Sequence, residues 1–476
     1  MTRATIISAF CALCVVVTGC DRWETVTCLP QDRGKVEPVV ERGAADSRDK
    51  PAPPAQLEVY LDATGSVRGF ILQEQSEAEP IYSRLIREMV DLPSVEPAIQ
   101  QVSAHKFGVW TEQIEWDKLD QARDDETFYT ESAGGFNQKS RLDKVLVEID
   151  KALTNGSDET LWAVGTDLVL TDKKDVGRNS RVSGPLVKML HRGLSVGILA
   201  VKSRFKGLIY DLPFEKGMKK YDHDGYLGYY LLMIGKHDHV RYLQDYLRRK
   251  LEGYEPRDYH FQIFSQNQLF EAVTVDALKS ADSVQLNGAN ASAEPLIAID
   301  TPQRIEFEFD RNIREVAVRF RVSDLVPNSS SLAPRLEIRT SDWFVIAPKG
   351  TCKERWITQE GDSTGTFYTV DKDIEFRISS EEMNNIAPRD IHYKEAEIYL
   401  ASGTDSDIPQ WYESWSLTET QTPEVTKLAQ NARKENRQIY FPTLNLDGVY
   451  EELSNAQWDH LGGKKIGEIS IAYRKK

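Results

Sequence analysis

Cysteine is scarce in this sequence, five residues in 476, and two of them, Cys11 and Cys14, fall in the first fourteen positions. Two bridges at most can form, so packed cores must hold the chain together. Excess positive charge is missing too: 59 Lys and Arg stand against 74 Asp and Glu, a formal net charge of −15. That sign argues against nucleic acid as a partner and against a polybasic hold on anionic lipid. After residue 17 no apolar run is long enough to span a bilayer. The sequence contains no internal repeat and no long low-complexity tract.

What is present begins at the first residues. Arg3 supplies one positive charge, and residues 4–17 form an apolar run broken only by small polar side chains. The run is too short, and too soon followed by charge, for a membrane span, and it reads as an export signal. It ends in Val17-Thr18-Gly19-Cys20. Small residues before the cut fit an extended peptidase cleft, and the thiol is the sulfur that takes a diacylglycerol. The segment resembles the lipobox of bacterial lipoproteins. This resemblance implies removal of residues 1–19, lipidation at Cys20, and a membrane-anchored chain facing the periplasm or exterior. Asp21 resembles the inner-membrane retention signal of enteric lipoproteins, which favours that membrane. Residues 20–56 have a linker's composition and end in Pro51-Ala52-Pro53-Pro54, a coil that spans about 30–35 Å. Cys28 and Cys352 remain: a bridge between them staples the tether to the second half, and two unrelated thiols are the other alternative.

Residues 57–256 alternate strands and helices. Strands are predicted at 57–61, 102–109, 160–164, 194–201 and 229–234, and helices at 82–90 (ended by Pro93), 140–153, 186–194 and 240–251. In the helix at 140–153, Leu142, Val145, Leu146, Ile149 and Leu153 share one face. The rhythm predicts an α/β, doubly wound parallel sheet of Rossmann-like type, covered on both faces. Past residue 257 the pattern changes to alternating apolar and polar runs at 304–309, 316–322, 335–338, 373–378 and 396–400, separated by turn-rich segments. Residues 257–476 are therefore expected to form a β-rich, all-β sandwich-like domain.

The first strand runs into Asp62-Ala63-Thr64-Gly65-Ser66. A carboxylate and two hydroxyls at alternating positions are hard oxygen ligands, placed where open α/β sheets bind ligands. Such oxygens suit Mg²⁺, Ca²⁺ or Mn²⁺. The segment resembles the first motif of von Willebrand factor A domains, whose adhesion site reads Asp-x-Ser-x-Ser; Thr64 here keeps the hydroxyl. The resemblance covers residues 57–254. It implies a cation bound by Asp62, Thr64, Ser66 and a later aspartate, with one position left for a carboxylate of a protein partner. The family's second element, a glycine-glycine loop with a threonine, falls at Gly134-Gly135-Phe136-Asn137, where the threonine is missing; Asn137, Ser140 and Thr130 are candidates for its place. The third is Asp167, after Thr166, or Asp172, after Thr171. A cap on the following turn is the simpler role for Asp62.

Two other functions compete. Asp62-Ala63-Thr64-Gly65-Ser66 also resembles the Asp-Lys-Thr-Gly-Thr of the haloacid dehalogenase superfamily, which implies a phosphohydrolase with Asp62 as nucleophile. Against it, Gly-Asp-Gly-x-x-Asp is absent and no phosphate-binding lysine is placed. The other is a structural component of an envelope complex, docked through the β-rich domain. Asp222-His223-Asp224 and His237-Asp238-His239 have metal-binding residue types, but neighbours at i and i+2 share no helix face; His237 or Asp238 is expected to cap the helix before Val240. Trp411, Tyr412 and Trp415 are either a sugar-stacking platform or a packed plug.

Overall fold

The computed structural model describes residues 52–72, 79–130, 134–154, 159–168, 180–214, 217–266, 284–286, 304–309, 316–320, 336–345, 357–358, 365–370, 373–386, 391–400, 409–463 and 465–475. Strands β1 (Gln56–Asp62), β2 (Gln101–Phe107), β3 (Thr111–Ile114), β4 (Thr160–Thr166), β5 (Ser195–Phe214), β6 (Gly217–Gly235) and β7 (Tyr259–Phe264) form one sheet. Their order is β3-β2-β1-β4-β6-β5-β7. All seven residues of β4 are buried, as a central strand covered on both faces requires.

Helices α1 (Ile81–Val95), α2 (Thr127–Thr130), α3 (Leu142–Thr154), α4 (Ser180–His191) and α5 (His237–Leu251) accompany this sheet. Helix α3 buries Leu142, Val145, Leu146 and Ile149, the stripe its spacing predicts. Pro93 does not end α1 but lies inside it. Placed in the last turn, it forgoes only the amide bond to the carbonyl four residues back.

The sheet is mixed rather than parallel. Strand β1 runs parallel to β2 and β4, whereas β3 is antiparallel to β2, and β6 is antiparallel to both β4 and β5. Strand β7 is antiparallel to β5. The doubly wound parallel pattern is confined to β2-β1-β4. The cause is that β5 and β6 follow one another without a helix between them, and such strands pair antiparallel. Sequence periodicity identified only their apolar ends, 194–201 and 229–234.

The second half contains β8 (Val284–Leu286), β9 (Arg304–Phe309), β10 (Val316–Phe320), β11 (Leu336–Val345), β12 (Ile357–Thr358), β13 (Thr366–Val370), β14 (Asp373–Ile378), α6 (Ser380–Asn385) and β15 (Ile391–Leu400). They are followed by α7 (Gln410–Trp415), β16 (Ser416–Leu417), α8 (Thr422–Lys434), β17 (Tyr440–Phe441), β18 (Thr443–Leu444), α9 (Leu446–Leu461) and β19 (Lys465–Lys475). A four-stranded sheet, β13-β14-β10-β8, and a five-stranded one, β12-β11-β15-β19-β9, meet where the rings of Phe376 and Tyr473 lie 5.8 Å apart.

This half is not all β. Residues 409–463 are largely helical and pack on the first sheet. Strand β17 pairs in parallel with β6 at Tyr226 and Leu227, the eighth strand of that sheet. Tyr230 Oη donates to Thr443 Oγ1 (2.7 Å), the Ser265 amide donates to Gln457 Oε1 (2.7 Å), and the Phe264 and Tyr450 rings are 5.5 Å apart. Buried residues at helical spacing, such as Leu446, Val449, Tyr450 and Leu453 in α9, build this layer and overturn the all-β expectation. Among the described residues no helix is long and apolar enough to cross a membrane.

Candidate functional site

The parallel register of β1 and β4 sets Leu61 opposite Gly165, so the next residues, Asp62 and Thr166, emerge side by side at the carboxyl ends. Asp62 is fully buried and accepts four hydrogen bonds. Oδ1 takes the Thr64 amide (2.9 Å) and hydroxyl (2.6 Å). Oδ2 takes the hydroxyls of Ser140 (2.7 Å) and Thr166 (3.3 Å). The Thr64 and Ser66 hydroxyls lie 3.1 Å apart; since Thr64 gives its proton to Asp62, Ser66 donates to Thr64. The Thr64 amide bond is the turn cap that elementary considerations assign to Asp62, and it forms part of the larger cluster.

The loop before α3 brings in Ser140. Gly134 and Gly135 take left-handed φ values of 71° and 80°, which glycine adopts without Cβ strain. Asn137 Nδ2 donates to the Ala63 carbonyl (2.6 Å), and the Gly65 amide donates to the Asn137 carbonyl (3.2 Å). Asn137 thus ties this loop to the one after β1. Ser140 is the hydroxyl that reaches Asp62. Thr130 instead donates to the Glu126 carbonyl (3.0 Å) on an exposed surface.

Asp167 follows Thr166 and is 1 % exposed. The next residue, Leu168, has φ 58°, and its amide donates to Thr166 Oγ1 (3.1 Å). A leucine in the left-handed region costs about 1–2 kcal/mol, strain that concentrates at functional turns. Asp172, Cys20, Cys28 and Cys352 lie outside the described residues.

Burial drives the Asp62 carboxyl upward from its usual pKa, and the hydrogen bonds from Thr64, Ser140 and Thr166 oppose it. Those opposing groups are neutral. Burial, with Tyr82, Asp62 and Asp167 nearby, likewise holds the Tyr229 phenol well above its usual range. The Tyr229 hydroxyl has no hydrogen-bond partner among the described residues. Two carboxyls and an unpartnered hydroxyl in one buried place fit a small cation. Four hydroxyls direct their protons to Asp62 (Thr64, Ser140, Thr166) or along the chain to it (Ser66), which turns their lone pairs elsewhere. Among the described residues, no group of three or more His, Cys, Asp or Glu side chains is placed to hold a metal. A cation here would take hydroxyl oxygens for its other contacts.

The remaining singled-out residues have other roles. His223 is buried, with Nε2 3.2 Å from the Tyr226 carbonyl. His237 and Asp238 lie inside α5, whose N-terminus, at Lys236, carries no side-chain cap. Trp411 stacks on His260 (4.7 Å, 14°), with Tyr412 and Trp415 buried beside it; this is a packed plug against β7. Thr166 and Tyr229 join the site without having been singled out as its ligands. Thr166 had a signal, its place before Asp167, but Tyr229 is one letter in the apolar run YYLLMI. Compared with protein-family models, curated proteins and solved structures, the chain has no match.

Proposed function

We propose that the chain is a lipid-anchored interaction protein, tethered through Cys20 outside the cytoplasm, that binds a protein partner through a von Willebrand factor A-like unit. A divalent cation, Mg²⁺, Ca²⁺ or Mn²⁺, is held at the carboxyl ends of β1 and β4. Thr64, Ser66 and Ser140 would supply hydroxyl oxygens, and Asp62 and Asp167 the negative charge. Bound there, the cation supplies Lewis acidity toward a carboxylate of the partner. The carrying observation is the convergence of Ser140 and Thr166 on the carboxylate of the Asp62-x-Thr64-x-Ser66 turn. Attack on phosphorus by Asp62 needs an open carboxylate oxygen, and the two donors on each of its oxygens speak against the phosphohydrolase alternative.

Titration with Mn²⁺, followed by calorimetry and by the melting temperature, tests the ion. The expected result is one ion bound per chain and a raised Tm, both lost in Asp62→Asn and in Asp167→Asn. Unchanged Tm in Mg²⁺, Ca²⁺ and Mn²⁺ sinks the ion and favours metal-independent docking in an envelope complex. Radiolabelled palmitate incorporated by the wild type but not by Cys20→Ser checks the tether.

A further inference from the structure

Strands β5 and β6 outrun the sheet they belong to. Their last partners at its carboxyl edge are Tyr259 of β7, opposite Val201, and Thr166 of β4, opposite Tyr230. Beyond these, residues 202–214 and 217–228 pair with one another, from Lys202 with Gly228 to Phe214 with Gly217. A lone two-stranded ribbon is marginal in water, and this arm is held from two sides.

One side lies on the turn that follows β1. Gly207 approaches so closely that a Cβ there would stand 3.1 Å from the Gly69 Cα. Phe205 fills the space where a Gly69 Cβ would be, and its ring lies 5.1 Å from that of Phe70. Tyr210 Oη would be 4.0 Å from a Cβ on Gly65. Thr64 and Ser66, the hydroxyls of this turn, are only 3 % and 5 % exposed.

The other side is held by the C-terminal segment. The Tyr226 amide donates to the Ile439 carbonyl (2.9 Å), and a Cβ on Gly225 would meet that oxygen at 2.4 Å. The Phe441 ring lies 5.8 Å from Tyr221 and 5.6 Å from His223. Arg433 Nη1 donates to the Asp222 carbonyl (3.1 Å) and carboxylate (2.9 Å). That ion pair is exposed and β17 is two residues long, so the hold rests on the buried Phe441 and on the Tyr230–Thr443 bond.

We infer that the arm is a gate over the turn carrying Thr64 and Ser66, latched by residues 433–443, and that an acidic partner reaches the turn only after the latch releases. This deepens the function proposed above by adding its regulation. Opening would cost the latch, the β17–β6 pairing included, and the packing of the arm on Gly69 and Phe70, while β1 to β7 stay paired, the mark of a local rather than global transition.

The test reads access rather than metal. In the mature full chain with Cys28→Ser and Cys352→Ser, Ser66→Cys reports exposure through its rate of maleimide labelling. With the latch intact, labelling is expected to be slow and limited by opening. Gly225→Val pushes against the Ile439 carbonyl and should accelerate labelling about tenfold, the factor given by 1.4 kcal/mol of lost latch. If that variant fails to fold, Arg433→Ala removes only an exposed side chain and should accelerate labelling by roughly threefold. Equal rates with and without the latch change, in folded protein, overturn the gate. So does labelling of the latched protein as fast as that of urea-unfolded chain. Loss of Mn²⁺ binding alone would strike the ion and leave the gate standing, so the two proposals fail separately.

Discussion

Ser140 donates a 2.7 Å hydrogen bond to Asp62 Oδ2 across 78 positions of chain. The bond joins a loop before α3 to the carboxyl end of β1, and both partners are buried.

Replacing Ser140 by Ala leaves Oδ2 with only the longer bond from Thr166, at 3.3 Å. Losing a buried hydrogen bond to a carboxyl costs about 1.5–3 kcal/mol. Urea unfolding without divalent ions should show that loss, and Mn²⁺ titration should show weaker binding in the same variant. Unaltered stability and affinity would remove Ser140 from the site.

The raised carboxyl of Asp62 has a pH consequence whose sign is definite. A folded-state pKa above the unfolded one means the native state holds its proton longer. The contribution is fully present below the ordinary aspartate pKa of 3.8 and is lost as pH rises through the folded value. Metal-free wild type should therefore lose stability over that rise, and Asp62→Asn should flatten the loss. Saturating Mg²⁺ should restore the wild type alone, checked by melting curves across pH.

His237 works in the opposite direction. Burial lowers its pKa from 6.5 to about 4, and its Nδ1 lies 3.1 Å from Ser195 Oγ. Its contribution is present above 6.5 and fades as pH falls through about 4, a linkage of roughly 3 kcal/mol. His237→Gln should flatten the acid limb of the stability profile. An unchanged limb in chemical unfolding at successive pH values would contradict this.

Gly134 offers a test of loop geometry. Its φ of 71° suits glycine, and a Cβ there would meet only Trp110 at an ordinary 3.5 Å. Gly134→Ala should therefore cost about 1 kcal/mol through backbone strain alone. Chemical denaturation measures it, and Mn²⁺ affinity shows whether Ser140 has been displaced.

Much of the buried polar cluster was legible in the sequence because its residues follow strand ends. Asp62, Thr64 and Ser66 are alternate positions of one five-residue run, and Asp167 closes an apolar run. Ser140 was one of three candidates, and selection among them needed the fold of the loop, in which Asn137 is occupied with Ala63. Strand 160–164 announced itself by an apolar run and 57–61 by apolar residues broken only at Glu58. The arm did not, because residues 202–228 mix Lys, Asp and Gly with aromatics, and a ribbon held by its neighbours shows no one-sided alternation. The helices of 409–463 carry a stripe at helical spacing, Leu446, Val449, Tyr450 and Leu453 in α9, but the sheet they cover is built some two hundred residues earlier, and that docking leaves no local trace.

The pairing of β17 with β6 also orders events during synthesis. Seven strands of the first sheet are complete once Phe264 has been made, while the eighth waits for Tyr440 and Phe441. Through that interval the nascent chain presents Tyr226 and Leu227 with one flank uncovered. Such a strand edge stays open to pairing with another chain until Tyr440 and Phe441 arrive.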